Sequence, residues 1–414
     1  MVDTGKREKT QPRADARVSR KVDNRRLIPP TGLKEYWYPA IQEKRVGRKK
    51  PVRLQVLGEF IALFRAKDGS VVALWDVCPH RGGSLGSGDS HFPGTVTCPY
   101  HGWTFDADGG CVAVLTEGPG SFLPGKVWAR KFPTTTLKGI VFVWMGDGEP
   151  VPIEDDVPEE LHEPDSESMV FMFTQYWDVN WAVALENSLD GHVPYVHRNS
   201  WLATINQIRN YGPKGRRPVP LRNAVGASPT GPLAPEQEYY PGLGKWPKSR
   251  WRRLWAWALV PARKRSRSRP RFNRTDEWGM AHHLPSQFRT LGSTHAYTRV
   301  CVPVDEKRSR VIYYYSTRPA NWLHRAYIWA HYYLFYRWHM LVHFSNQDFF
   351  PMKDQRWDTP ETLSANDAEI LVWRRMLVTA RGMDAASQDA GELPAFAATE
   401  GPNPSYVDED GEVT

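Results

Sequence analysis

Two short boxes, Cys78-Pro79-His80-Arg81-Gly82 and Cys98-Pro99-Tyr100-His101-Gly102-Trp103, constrain this chain more than any other feature. Their spacing is Cys-x-His, seventeen residues, then Cys-x-x-His. Two thiolates and two imidazoles delivered by two turns suit one zinc ion. They equally suit a [2Fe-2S] cluster with both cysteines on one iron and both histidines on the other, so ligand type alone does not choose. The surroundings do. In each box a proline follows the cysteine and a glycine follows the histidine closely. Two stiff loops with glycine relief can therefore close over a cluster and offer backbone N–H groups to its sulfurs. A zinc knuckle needs far less of this.

The boxes lie among short β-branched or aromatic runs separated by Gly, Pro and Asp turns: 52–56, 60–64, 71–75, 95–98 and 139–144. That pattern predicts a small all-β domain. With its boxes, the segment resembles the Rieske iron–sulfur family, which implies Cys78, His80, Cys98 and His101 as ligands of a [2Fe-2S] cluster. Respiratory members carry an extra cysteine in each box, whereas Gly83 and Tyr100 stand at those places here, a resemblance to lower-potential members. Cys111 and Cys301 lie outside the boxes and read as ordinary buried thiols.

A Rieske domain needs only about a quarter of the 414 residues. Residues 146–160, rich in Gly, Pro and acid, read as a linker. Beyond it, 169–178 and 311–317 read as strands, 181–189 as a helix, 322–344 as a long aromatic helix and 365–376 as a further helix. His192 and His197 are five apart, about 140° around an ideal helix, so a continuous helix would not aim both at one ion. Pro194 lies between them and invites a bend that could bring them together. Two imidazoles and one carboxylate would leave facing positions open on Fe(II).

This stretch resembles the iron-binding segment of the Rieske non-haem iron oxygenases, terminal oxygenase (alpha subunit) type. The resemblance covers about residues 36 to 380 and implies an α+β chain: an all-β Rieske domain (36–152) followed by a helix-grip catalytic domain (153–383). It implies His192, His197 and a late carboxylate, Asp348 with Asp354 in reserve, as ligands of a mononuclear Fe(II). It further implies an acid that bridges the two metal centres across subunits of a head-to-tail homotrimer. Asp190 takes that place, two positions before His192 rather than the commoner three, and Glu186 is its reserve. The expected reaction is hydroxylation of a hydrophobic or aromatic small molecule with O2. No G-x-G-x-x-G unit offers a nicotinamide or flavin site, so NAD(P)H electrons are expected through a separate ferredoxin or flavin reductase. Oxidative O- or N-demethylation uses the same scaffold. An alternative from another class is an electron carrier with a non-catalytic C-terminal domain.

The net charge of +8 is unevenly placed, because Lys245–Arg274 holds twelve bases and no acid while Asp384–Thr414 holds eight acids and no base. The body between is close to neutral, and nucleic acid is an unlikely partner without a recognition module. The 245–274 insertion, with Trp246, Trp251, Trp255 and Trp257, reads as a solvated or ferredoxin-docking face, or as a peripheral membrane contact. Residues 1–35 read as a basic flexible arm and 384–414 as an acidic disordered tail. With no run of about 18 apolar residues and few cysteines, a cytoplasmic location is expected, with the periphery of a membrane as the alternative.

Overall fold

The computed structural model describes residues 28–190, 193–197, 216–221, 223–229, 281–291, 295–355, 361–364 and 367–383. Four antiparallel sheets carry the described chain. Trp37–Gln42, Ile140–Trp144 and Thr134–Leu137 form one sheet with Ile140–Trp144 in the middle, and all five of that strand's residues are buried. Val52–Val56, Glu59–Arg65, Val71–Trp75 and Lys131–Phe132 form a second.

The second sheet divides two cores by strand alternation. Successive side chains of a strand point to opposite faces. Ile61, Leu63, Val71 and Ala73 accordingly join the main core, which runs on into the C-terminal half, whereas Ala62, Phe64, Val72 and Leu74 join a smaller core with Cys78, Cys98 and Trp103. This explains why these strands read as nearly unbroken apolar runs: both faces are covered. The small core is completed by the Val96–Thr97, Trp103–Phe105 and Cys111–Val114 sheet, which presents the two boxes.

The C-terminal half is built on a seven-stranded sheet in the order Met169–Trp177, Ser309–Thr317, His295–Pro303, Gln287–Leu291, Ala281–His283, Ala224–Pro229, Arg216–Leu221. One long helix follows it: α-helical over Trp322–His331, π-helical over Tyr332–Phe344, and α-helical again over Ser345–Met352. Helix Ala368–Val378 comes last.

Three expectations change. The 1–35 arm is packed in its last part: Ile28 and Leu33 are buried, and the Pro29 and Pro30 carbonyls accept from Trp181 Nε1 (2.9 Å) and Asn180 Nδ2 (3.0 Å). Residues 1–27 lie outside the described residues. The 146–160 linker is a seam, because Asp156 and Glu160 are buried within it. Glu160 receives both guanidinium arms of Arg289, at 2.6 and 2.8 Å, and Asp156 accepts from Trp37 N at 2.9 Å and pairs with Arg381. The helix expected over 181–189 is regular only over Trp181–Glu186, capped by the Asn180 side chain on Ala182 N, and continues as a turn. The 245–274 insertion and the 384–414 tail lie outside the described residues.

Candidate metal centres

The two boxes form congruent loops. In each, the cysteine N–H donates to the carbonyl five residues on: Cys78 to Gly83 and Cys98 to Trp103, both 2.8 Å. The glycine four residues on donates back to the cysteine carbonyl: Gly82 to Cys78 at 2.9 Å, Gly102 to Cys98 at 3.1 Å. Both glycines sit at positive φ, +73° and +70°, where a side chain is disfavoured. That shared turn explains why a glycine closes each box although histidine stands second after Cys78 and third after Cys98. The shift lets the two rings meet edge to face, with centroids 4.6 Å apart. Trp103 stacks on His80 at 4.7 Å with an interplanar angle of 1°.

The thiols are buried while His80 is exposed and His101 half-buried. Burial, supported by the neighbouring Cys98, pushes the Cys78 thiol up to about 12. A cation is what would hold such a pair as thiolates. Thiols grouped inside and imidazoles grouped outside match the two-iron arrangement, with the histidine iron toward solvent. Gly83 belongs to the fit: a Cβ there would stand 2.9 Å from Cys98 Sγ.

The second site lies where the long helix passes the short turn at 193–197. His197 and Asp348 are both buried, and His197 Nε2 stands 3.0 Å from Asp348 Oδ1. The other ring nitrogen, Nδ1, faces Gln347 Oε1 at 3.1 Å. With Gln347 Oε1 as acceptor, Nδ1 is the donor of this pair, and Nε2 is the nitrogen turned to the carboxylate. Two acceptors facing each other at this distance repel unless a cation or a second proton lies between them. Asp348 Oδ1 also lacks a hydrogen-bond partner. Two donors each about 2.1 Å from a divalent ion and at right angles lie about 3.0 Å apart, so the pair fits neighbouring ligands of one metal.

Phe344 stacks on His197 at 3.6 Å and shields it. On the far side of Asp348 stands the buried Arg299, Nη1 to Oδ2 3.6 Å. Burial works against the charge of Arg299, yet Cys301, Tyr297 and Asp348 around it keep it protonated. His192, the expected companion ligand, lies outside the described residues. Among the described residues no set of three His, Cys, Asp or Glu is grouped for one ion. The reserve carboxylate Asp354 is exposed.

Of the two candidate bridges, Glu186 is buried with both oxygens engaged by Arg374, at 2.6 and 2.7 Å. Asp190 is half-buried at the end of the same turn, its N–H bonded to the Glu186 carbonyl at 2.9 Å. Sequence reading missed Gln347 and Arg299. The one signal for Arg299 was a charge inside the otherwise uncharged run 296–304; Gln347 offered only its place beside Asp348.

Comparison with known proteins agrees with this architecture. Residues 36–132 match the Rieske [2Fe-2S] domain and residues 144–219 the homotrimeric ring hydroxylase domain. A Rieske [2Fe-2S] domain followed by a homotrimeric ring hydroxylase domain is the architecture these matches define. The chain is 36% identical over 179 residues to the terminal oxygenase component CarAa of carbazole 1,9a-dioxygenase from Sphingomonas sp, covering 43% of this chain and 46% of that one. It is 33% identical over 172 residues to the oxygenase component of dicamba O-demethylase from Stenotrophomonas maltophilia, covering 41% and 48%. The chain spans about half the length of the curated relatives it matches. Among solved structures, the carbazole 1,9a-dioxygenase terminal oxygenase from Nocardioides aromaticivorans IC177 superposes with a TM-score of 0.66 at 24% identity, over 86% of this chain and 97% of that one. No described helix is long and apolar enough to cross a membrane.

Proposed function

We propose that this chain is the terminal oxygenase component of a Rieske-type system, using O2 and electrons from NAD(P)H to hydroxylate a hydrophobic, ring-containing small molecule. Cys78, His80, Cys98 and His101 hold the [2Fe-2S] cluster, and His192, His197 and Asp348 hold a mononuclear Fe(II). The observation that carries the reading is the buried facing pair His197 Nε2 and Asp348 Oδ1, 3.0 Å apart. A carrier would need no second set of donors. When bound, the mononuclear iron supplies oxygen activation, with the cluster as its source of single electrons.

The chain's own groups have defined parts. Gln347 fixes the His197 tautomer that leaves Nε2 free to bind. Phe344 keeps water from that ring, and Arg299 stands beside the ligand carboxylate. The exposed edge of His80 offers a contact for the electron donor. Solved structures of a relative's oxygenase in complex with ferredoxin support a ferredoxin in that role. Glu186 has both oxygens held by Arg374, and Asp190, half-buried at the end of the same turn, is the bridge assigned to a neighbouring subunit's cluster. The homotrimeric description of the matched domain supports that arrangement.

The apolar, ring-containing substrate class is carried over from relatives such as the carbazole 1,9a-dioxygenase component, because Tyr297, Tyr313, Tyr315, Phe171 and Tyr332 are packed into the core. The test is His192→Ala in the full chain. The visible spectrum of the cluster should persist while incorporation of labelled oxygen into product is lost. Loss of the spectrum would overturn the assignment. The dicamba O-demethylase relative supports demethylation as the second outcome to assay, recognised by release of the methyl group rather than retention of both oxygens.

A further inference from the structure

The long helix after the seven-stranded sheet has two unlike faces. Its inner face is held in the core: Ile328, Tyr332 and Leu341 are buried, and Tyr332 stacks on Phe171 with ring centroids 4.1 Å apart. On its outer face Trp322, Leu323, Trp329, Leu334 and Trp338 are each more than half exposed. Trp322 and Trp329, seven apart, fall about 20° from each other around the α-helical part. Leu334 and Trp338, four apart, are about one turn apart on the π-helical part. Trp329 leans on the exposed Tyr333, ring centroids 4.7 Å apart, which ties the two parts into one band. A band of large apolar side chains on the water side of a helix marks a surface that meets a partner.

Charge selects the partner. No Asp or Glu occurs from Asn321 to Gln347, a stretch that holds Arg325 and Arg337. The guanidinium carbon of Arg337 lies 4.9 Å from the Phe173 ring and 5.6 Å from the Trp338 ring, and its Nε has no hydrogen-bond partner. Tryptophan joins an apolar body to a single N–H, the combination that settles where lipid headgroups meet acyl chains, and a helix with such a face beside basic residues lies along that boundary. A second copy of the chain would set the same positive charge against itself, and an acidic protein would leave the rings facing its carboxylates. We infer that the outer face of the helix over 322–338 is a docking surface for an anionic lipid bilayer, with Trp322, Trp329 and Trp338 seated at the headgroup level. This surface stands whatever the chemistry at His197 and Asp348, and lipid binding is read without turnover.

The test is sedimentation of the full chain, its cluster intact, with vesicles of phosphatidylcholine alone or with roughly one-third phosphatidylglycerol. Wild type should bind the mixed vesicles more tightly, and more so at low salt. The Trp322→Ser, Trp338→Ser double variant should bind them at least about tenfold more weakly while keeping the cluster spectrum. Unchanged binding in the double variant would place the lipid contact elsewhere, the basic 245–274 insertion being one such place, and would overturn the inference. A wild type that binds neither vesicle overturns it as well. So does a double variant whose mass by light scattering falls, because the face is then a contact between copies of the chain. Should the double variant not fold, hydroxyl-radical labelling of the wild type decides. Mixed vesicles should protect Trp322, Trp329 and Trp338 from oxidation, and equal labelling with and without vesicles contradicts the lipid contact.

Discussion

At Gly83 the room for a side chain is already filled by Cys98 Sγ, 2.9 Å from where a Cβ would stand, while Gly47 has nothing within 4 Å. Gly83→Ala is therefore expected to lower cluster content per chain, measured as sulfide and visible absorbance, with Gly47→Ala as the unaffected control. Gly82 has open space but a φ of +73°, so Gly82→Ala should cost only the backbone penalty, about 1–2 kcal/mol in chemical unfolding. Asp156 gives a pH signature. Burial raises its pKa to about 6 against the pull of Arg381. Its folded-state value then lies above the unfolded one, so its contribution grows as pH falls from about 6 to 4 and is constant above that window. Relative to Asp156→Asn, wild-type unfolding free energy should rise on acidification across that window by up to about 3 kcal/mol.

At the scale of elements, the boxes and the strands around them were legible because their signals are local: turn residues, ring-bearing runs and ligand spacing lie within a few positions. The seam was not. Glu160 meets Arg289 across 129 residues and Asp156 meets Arg381 across 225, and an acidic stretch carries no mark of such distant partners. The long helix was legible as a helix but not by face. Its aromatic composition hides that Ile328, Tyr332 and Leu341 are buried while Trp322 is 75% exposed and Leu334 66%. The Glu160–Arg289 pair tests the seam. Arg289→Met alone leaves a buried carboxylate unpaired and should cost about 3–5 kcal/mol in denaturant unfolding, much of it recovered by the Glu160→Met, Arg289→Met double variant. Equal losses in both would mean the pair itself, rather than the stranded charge, sets the stability.

Across the whole molecule, one continuous core joins the sheet of Trp37–Gln42 to the seven-stranded sheet, while the cluster-bearing loops pack on the smaller core on the other face of the second sheet. Two donor sets of different chemistry on that frame are what separate an oxygenase from an electron carrier. The most direct measurement is iron and acid-labile sulfide per chain in wild type and in Asp348→Ala. The expected result is three irons to two sulfides in wild type, falling to two and two in the variant with an unchanged cluster spectrum. Two irons to two sulfides in both would contradict a second metal site and reduce the chain to a redox shuttle.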